Sequence, residues 1–354
     1  MNVWGDKIKV SLFGESHADA VGAIIDGLPS GFCIDFDAID KQMKRRAPKK
    51  EIYSTQRAES DAYKVLSGVT NGKTNGAPLC VLIENKDVRR SDYNTDILRP
   101  SHADLGAYLK YKTDVDLSGG GHFSGRLTAP LVFAGALCRQ MLSKMGVEIG
   151  AHILKTGDIA DDGFDFCDID TGLLKRLSES DFPLINESVK EKMKDKIKSV
   201  KDDLNSIGGA VECAVIGDVS GIGSPFFNSV ESKIASLMLS IPGIKGIEFG
   251  KGFGFAELDG VSANDEIYVK DGKIKTYTNN NSGINGGIAN GMPIVFSLAV
   301  KPTPSVGREQ RSVDIAKMEN TTVSIKGRHD ACIVPRVAIA VENMTAIAIL
   351  DMML

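Results

Sequence analysis

Two stretches of this chain read as helices yet are apolar on almost every side. Residues 131–137 form the middle of one. Residues 334–350 make up the other, interrupted by Glu342 and Asn343. A helix without a polar face must sit between other layers. The segments around these helices read as strands, but strands and helices do not alternate as a doubly wound sheet requires. Residues 7–13 alternate polar and apolar side chains and run into a loop at Gly14. Residues 209–216 and 292–300 read as strands, and 266–275 as a hairpin turning at Asp271-Gly272. The expected fold is α+β: a single compact domain over 1–354, with helices sandwiched between antiparallel β-sheets.

The remaining helices are predicted from their ends. Residues 35–46 carry Lys44, Arg45 and Arg46 in the last turn and stop at Pro48. A short helix covers 104–112. A long one starts with Thr128 as N-cap, tolerates Pro130 in its first turn and stops at Gly146. Residues 186–204 are charged and amphipathic, and 230–239 are capped by Asn228 or Ser229.

With 354 residues, 42% of them apolar, the chain has ample material for a core. Its formal charge of -4 speaks against a general nucleic-acid binder, which carries a basic excess. Cys33, Cys80, Cys138, Cys167, Cys213 and Cys332 form no Cys-x-x-Cys pair and no zinc framework, and suit a reducing cytosol. No secretory leader and no apolar run of about 20 residues is visible. The expectation is a cytoplasmic protein with no membrane partner.

The chemistry concentrates in histidines and arginines. Ser-His-Ala-Asp occurs at 16–19 and again at 101–104, and Arg328-His329-Asp330 adds a third acid-linked histidine out of five. Both copies sit at strand-to-loop transitions, where functional side chains tend to be mounted. His17 reads either as a proton-transfer group facing a cleft or as a loop histidine bonded to Asp19. His102 carries the same two readings, with Asp104 as the group that would fix its tautomer. No His-x-x-x-His spacing supports a metal. Gly119-Gly120-Gly121-His122-Phe123-Ser124-Gly125-Arg126 precedes a helix, so its backbone N–H groups, Ser124 and Arg126 suit an anion. Arg45, Arg46 and Arg57 form a second cationic feature. The Gly/Asn-rich loop 279–291 and the stiff run Lys301, Pro302, Thr303, Pro304, Ser305 look like walls of a phosphate-bearing ligand site. Asp330, near arginines, is a candidate base.

Taken in order, Gly14-Glu15-Ser16-His17, Arg99-Pro100-Ser101-His102-Ala103-Asp104, the 119–129 segment, Gly286-Gly287, Lys301-Pro302-Thr303 and Gly327-Arg328-His329-Asp330 resemble chorismate synthase across nearly the whole chain. The resemblance implies 1,4-anti elimination of phosphate from 5-enolpyruvylshikimate 3-phosphate. The product is chorismate, at the last common step of the shikimate pathway to aromatic amino acids. It implies reduced FMN, supplied by an external reductant with NADPH acting only indirectly, and a homotetramer. It assigns His17 to flavin protonation, His102 to phosphate departure and Asp330 to proton removal. It places Arg45, Arg46, Arg57, Ser124, Arg126 and Arg328 on the substrate. His122, Phe123, Ser124, Ala263, Asn264, Gly286, Lys301, Pro302, Thr303, Pro304, Ser305 and Arg328 would hold the cofactor.

The chain departs from the family pattern after the triple glycine. His122-Phe123 and Leu127 stand where the family has arginine, serine and glutamate. So many buried cations without an anion would be costly, so an empty site is expected to be loose or hydrated. Two competing readings are a flavin-free phosphate-handling lyase or transferase, and a non-catalytic binder of anionic metabolites or RNA.

Overall fold

The structure, a computed structural model, describes residues 2–49, 51, 53, 60–86, 96–112, 117–325 and 330–354. Two five-stranded antiparallel sheets form its outer layers. The first runs β1 (Val3–Trp4), β2 (Lys9–Gly14), β3 (Ala20–Asp26), β7 (Leu79–Glu84) and β4 (Tyr63–Ser67), with a small hairpin of β5 (Val69–Thr70) and β6 (Lys73–Thr74) beside it. The second runs β11 (Ile244–Phe249), β16 (Ile294–Val300), β10 (Gly209–Ile216), β8 (Glu148–Thr156) and β9 (Ile159–Ala160). Three further hairpins pair β12 (Ile267–Lys270) with β13 (Lys273–Thr276), β14 (Ile284–Asn285) with β15 (Ile288–Ala289), and β17 (Gln310–Asp314) with β18 (Glu319–Val323).

Between the sheets lie α3 (Thr128–Lys144) and α8 (Val334–Met353). Their side chains join one core that takes Val21 and Val81 from the first sheet, Phe133 and Leu137 from α3, Val341 and Ile347 from α8, and Ile149, Val211 and Phe296 from the second. This explains the all-round apolar character of both helices. The two helices touch closely at Gly135, where a Cβ would collide with the Asn343 carbonyl. Glu342 and Asn343 do not interrupt α8: both are wholly buried within it, Glu342 between Arg45 and Arg139.

The peripheral helices are α1 (Phe36–Arg46), α2 (Asp104–Tyr111), α4 (Thr171–Glu179), α5 (Lys190–Asp202), α6 (Val230–Met238) and α7 (Gly260–Ala263). Asp35 caps α1 by accepting from Ala38 N at 3.0 Å, and Ser229 caps α6. Thr128 departs from its predicted capping role. Its hydroxyl donates to the Gly125 carbonyl at 2.7 Å and accepts from Arg46 Nε at 3.2 Å, so it belongs to the site. No described helix is long and apolar enough to cross a membrane.

Candidate active site

The triple glycine makes the floor of the site. Gly119, Gly120 and Gly121 all have positive φ, which lets the chain make a tight non-helical kink before α3. At Gly119 the glycine is required for contact as well, since a Cβ would strike His17 Cε1 and Nδ1. Ser16 N donates to the Gly121 carbonyl at 3.1 Å, and Ser16 Oγ donates to the Ser118 carbonyl at 3.1 Å. The Ser16 hydroxyl proton is thereby committed. Its contact with His17 Nδ1 at 3.1 Å therefore requires Nδ1–H to donate, and proton exchange falls to Nε2. His17 is buried, and its Nδ1 partner is Ser16 rather than the Asp19 considered from sequence.

His102 is anchored the same way by different groups. Its Nδ1 faces the Pro100 carbonyl at 3.0 Å, which can only accept, so Nδ1 carries hydrogen and Nε2 is the titrating nitrogen. Nε2 lies 2.8 Å from Ser305 Oγ. Asp104 does not set this tautomer as predicted, because it is held by Arg99 through N at 2.9 Å, Nε at 2.8 Å and Nη2 at 2.8 Å. Burial pushes the Asp104 carboxyl up, and Arg99 more than offsets it, leaving it below its ordinary value. Lys301 Nζ donates to the Ser101 carbonyl at 2.7 Å, so the predicted 301–305 wall does meet the His102 turn. Burial and then Lys245 lower the Lys301 pKa.

Arg46 and Arg126 converge on one carboxylate. Asp61 Oδ2 accepts from Arg46 Nη1 at 2.6 Å, and Asp61 Oδ1 accepts from Arg126 Nη1. Burial lowers Arg46 to about 10 despite Asp61, with Arg336 and Arg126 acting in the same direction as burial. Burial raises the Asp61 carboxyl, but Arg46 and Arg126 outweigh it and hold it below its ordinary value. The arginine pair is thus not loose, as expected of an empty site. An internal counter-ion orders it. Asp330 joins from the other side: it pairs with Arg336 Nη1 at 2.8 Å, and Arg336 Nε donates to the Arg46 carbonyl at 3.2 Å.

These groups form a continuous hydrogen-bonded network. Asn85 is the hinge that sequence reasoning missed. Its Oδ1 accepts from Arg126 Nε at 3.0 Å, while its Nδ2 donates to the Glu15 and Ala18 carbonyls around His17. Arg99 Nη2 reaches the Leu117 carbonyl at 3.1 Å and ties the His102 turn to the glycine floor. Asp61, Asn85 and Arg336 had no motif of their own, although Asp61 follows Arg57 by four positions.

The other predicted residues fall in several places. Ser124 accepts from Arg126 N at 3.3 Å and caps the short turn leading into α3. His122 and Phe123 stack 4.0 Å apart, with the Tyr111 ring edge-on to His122. Ala263 and Asn264 end α7, where Asn280 Nδ2 donates to the Ala263 carbonyl at 3.3 Å. Gly286 is an exposed turn residue between β14 and β15. Arg45 points elsewhere, onto Glu342 at 3.0 Å and the Ser180 and Leu177 carbonyls. Arg57 and Arg328 lie outside the described residues.

Two features bear on a cofactor. A cavity of about 300 Å³ opens beside His122 and Ser124, walled by Leu12, Leu127, Leu131 and Leu237. Among the described residues, Thr303 Oγ1 is buried without a hydrogen-bond partner. The apolar slot suits a flat ring, and the orphaned Thr303 hydroxyl suits a polar group.

The structure thus combines a helix-filled sandwich with two anchored histidines and a buried guanidinium pair, a frame suited to an enzyme acting on an anionic substrate. The family model described as chorismate synthase matches residues 8–354. The chorismate synthase of Methanocaldococcus jannaschii is 41% identical over 100% of this chain and 96% of that protein. That of Thermococcus kodakarensis is 40% identical over 99% of the chain and 97% of its own length. A crystal structure of chorismate synthase superposes with TM-score 0.77 at 27% identity, covering 99% of this chain and 92% of that one. The chain belongs to the chorismate synthase family, whose members are phosphate-eliminating carbon–oxygen lyases of aromatic amino-acid biosynthesis.

Proposed function

We propose that the pocket around His17, His102, Arg46 and Arg126 is where this chain carries out the chorismate synthase reaction. In that reaction 5-enolpyruvylshikimate 3-phosphate loses phosphate by 1,4-anti elimination. The observation that carries the reading is the buried convergence of Arg46 and Arg126 on Asp61, tied through Asn85 to the loop that holds His17. Arg46 uses three N–H groups in the bonds named here, and a guanidinium has others to offer a carboxylate or phosphate. His102 Nε2, beside Ser305 and Lys301, is placed to neutralise charge on a departing phosphate oxygen. His17 Nε2 serves as the second proton-exchanging atom, and the Asp330 carboxylate, held by Arg336, as the group that helps remove the substrate proton. Arg57 and Arg328 extend the cationic wall in this reading. Arg45 supports it through α1.

The family's flavin dependence is read as reduced FMN, and the residues present fit it. His122 and Ser124, which line the apolar cavity, would border the ring with Phe123 beside them. Lys301, Pro302, Thr303, Pro304 and Ser305 would hold the polar tail, with Ala263, Asn264 and Gly286 nearby in the reading. When bound, the reduced flavin supplies an electron-rich ring that eases loss of phosphate. An external reductant provides it, with NADPH only indirect. The same reading makes the chain one cytoplasmic catalytic domain in a homotetramer. Phe226 and Phe227, almost fully exposed at 86% and 93%, support assembly.

The test is an anaerobic assay of phosphate release from 5-enolpyruvylshikimate 3-phosphate with chemically reduced FMN. Stoichiometric chorismate and phosphate are expected. Phosphate release that is indifferent to flavin would favour the flavin-free lyase instead.

A further inference from the structure

We propose that Asp61 is a positioning residue of the reaction: its carboxylate sets the Arg46 and Arg126 guanidiniums side by side, and the pair so held grips the substrate's anionic groups. The proposal deepens the reading of this pocket as the substrate site and rests on it.

Arg46 arrives at the end of α1, and Arg126 arrives on the short turn before α3. The two cations are almost fully withdrawn from water, with side-chain exposures of 2% and 6%, and Asp61 is at 0%. Like charges at such low exposure repel strongly unless a counter-charge lies between them. Asp61 is that counter-charge. It gives one oxygen to each arginine, and its backbone takes the left-handed conformation, φ +49, that places the carboxylate there.

Four further acceptors of the two guanidiniums are neutral. Arg46 donates Nε to Thr128 Oγ1 at 3.2 Å and Nη2 to the Gly125 carbonyl at 2.9 Å. Arg126 donates Nε to Asn85 Oδ1 at 3.0 Å and Nη2 to the Glu84 carbonyl at 3.2 Å. These acceptors orient the two planes but do not cancel their charge. Arg46 and Arg126 thus share this carboxylate, and a pair of guanidiniums suits a polyanion. Through Asn85 the same cluster reaches the Glu15 and Ala18 carbonyls that flank His17, so displacing Asp61 also disturbs the histidine loop.

Asparagine at this position has the right shape but one acceptor oxygen, and its NH₂ would confront the second guanidinium. Arg46 is faced by Asp61, Arg126 and Arg336, and Asp61 alone among them raises its pKa. The experiment compares wild type with Asp61→Asn and Asp61→Glu, using reduced FMN and 5-enolpyruvylshikimate 3-phosphate across pH 6–10. Melting temperature is recorded alongside. For Asp61→Asn, kcat/KM is expected to fall about 10²-fold, mostly through KM. Its alkaline limb is expected to move toward neutrality. Asp61→Glu restores the limb and part of KM.

A lowered melting temperature with wild-type KM and an unmoved limb overturns the proposal. If Asp61→Asn does not fold, Asp61→Glu and Thr128→Val stand in. KM should rise about tenfold in each, and an unchanged KM in both overturns it. Wild-type protein that neither binds nor converts the substrate overturns the reading of the pocket itself. Wild-type turnover matched by the variants overturns only the role of Asp61.

Discussion

Arg45 and Arg46 are consecutive residues in the last turn of α1, both buried, and each shares a carboxylate with a second arginine. Arg45 meets Arg139 across Glu342, and Arg46 meets Arg126 across Asp61. The charge pattern is the same in both clusters. The surroundings are not. A helix turns about 100° per residue, so neighbours leave it in different directions. Arg45 turns into the packing of α1, α3 and α8 and spends its other donors on the Leu177 and Ser180 carbonyls. Arg46 turns toward the Gly125 carbonyl and Thr128. A buried cation–anion–cation cluster is therefore not by itself a binding site. The location of its neutral acceptors decides whether a ligand can use it.

The largest expected effect separates these two arginines. Arg46→Ala leaves Asp61 short of a partner and removes a grip on the substrate, so kcat/KM should fall on the order of 10⁴-fold. Arg45→Ala should instead cost about 3–5 kcal/mol of stability. Its folded fraction should keep a rate within a few-fold of wild type. Steady-state kinetics beside urea unfolding would check both, and equal losses of kcat/KM would erase the distinction.

The two histidines come next. His17→Ala and His102→Ala should each slow kcat by about 10³-fold while FMN binding, followed by flavin fluorescence, persists. Near-normal rates in both variants would remove the acid–base assignment. A paired glycine test sharpens the contrast between site and core. Gly119→Ala forces a Cβ against the His17 imidazole at φ +60, so kcat should drop about tenfold or more. Gly135→Ala pushes α3 from α8 and should lower the melting temperature without that specific loss.

Much of this was legible before any coordinates. All-round apolar helices require covering layers, and 209–216 and the Asp271-Gly272 hairpin appear where alternation and turn chemistry put them. The shared letters of the two Ser-His-Ala-Asp copies conceal different anchoring of their histidines. Ser16 binds the imidazole itself, whereas Ser101 sits at φ +58 and offers its carbonyl to Lys301. Asp61 and Asn85 were not legible as partners, because their contacts span 15 to 70 positions and no local pattern encodes such pairings. Arg45 and Arg46 could not be told apart for the same reason.

The smallest effect concerns a third buried triad, of the reverse pattern. His152 lies between Asp161, at 3.0 Å from Nδ1, and Glu212, at 3.1 Å from Nε2. Backbone N–H groups of Phe164, Ile185 and Asn186 complete the carboxylates, so this cluster is closed by the chain rather than by a ligand. Burial lowers the His152 pKa, but Asp161 and Glu212 outweigh it and hold the imidazole above its ordinary value. A group raised on folding stabilises fully below its unfolded pKa, about 6.5, and loses that contribution as pH climbs through the folded value. Wild type should therefore lose about 1–3 kcal/mol relative to His152→Gln between pH 6 and the alkaline range in urea unfolding. The Asp61 cluster has the opposite sign: its depressed carboxyl stabilises above about 3.9 and fails only in acid. A difference between wild type and His152→Gln that stays flat with pH would mean the imidazole is neutral. The two triads would then no longer be charge-reversed versions of one device.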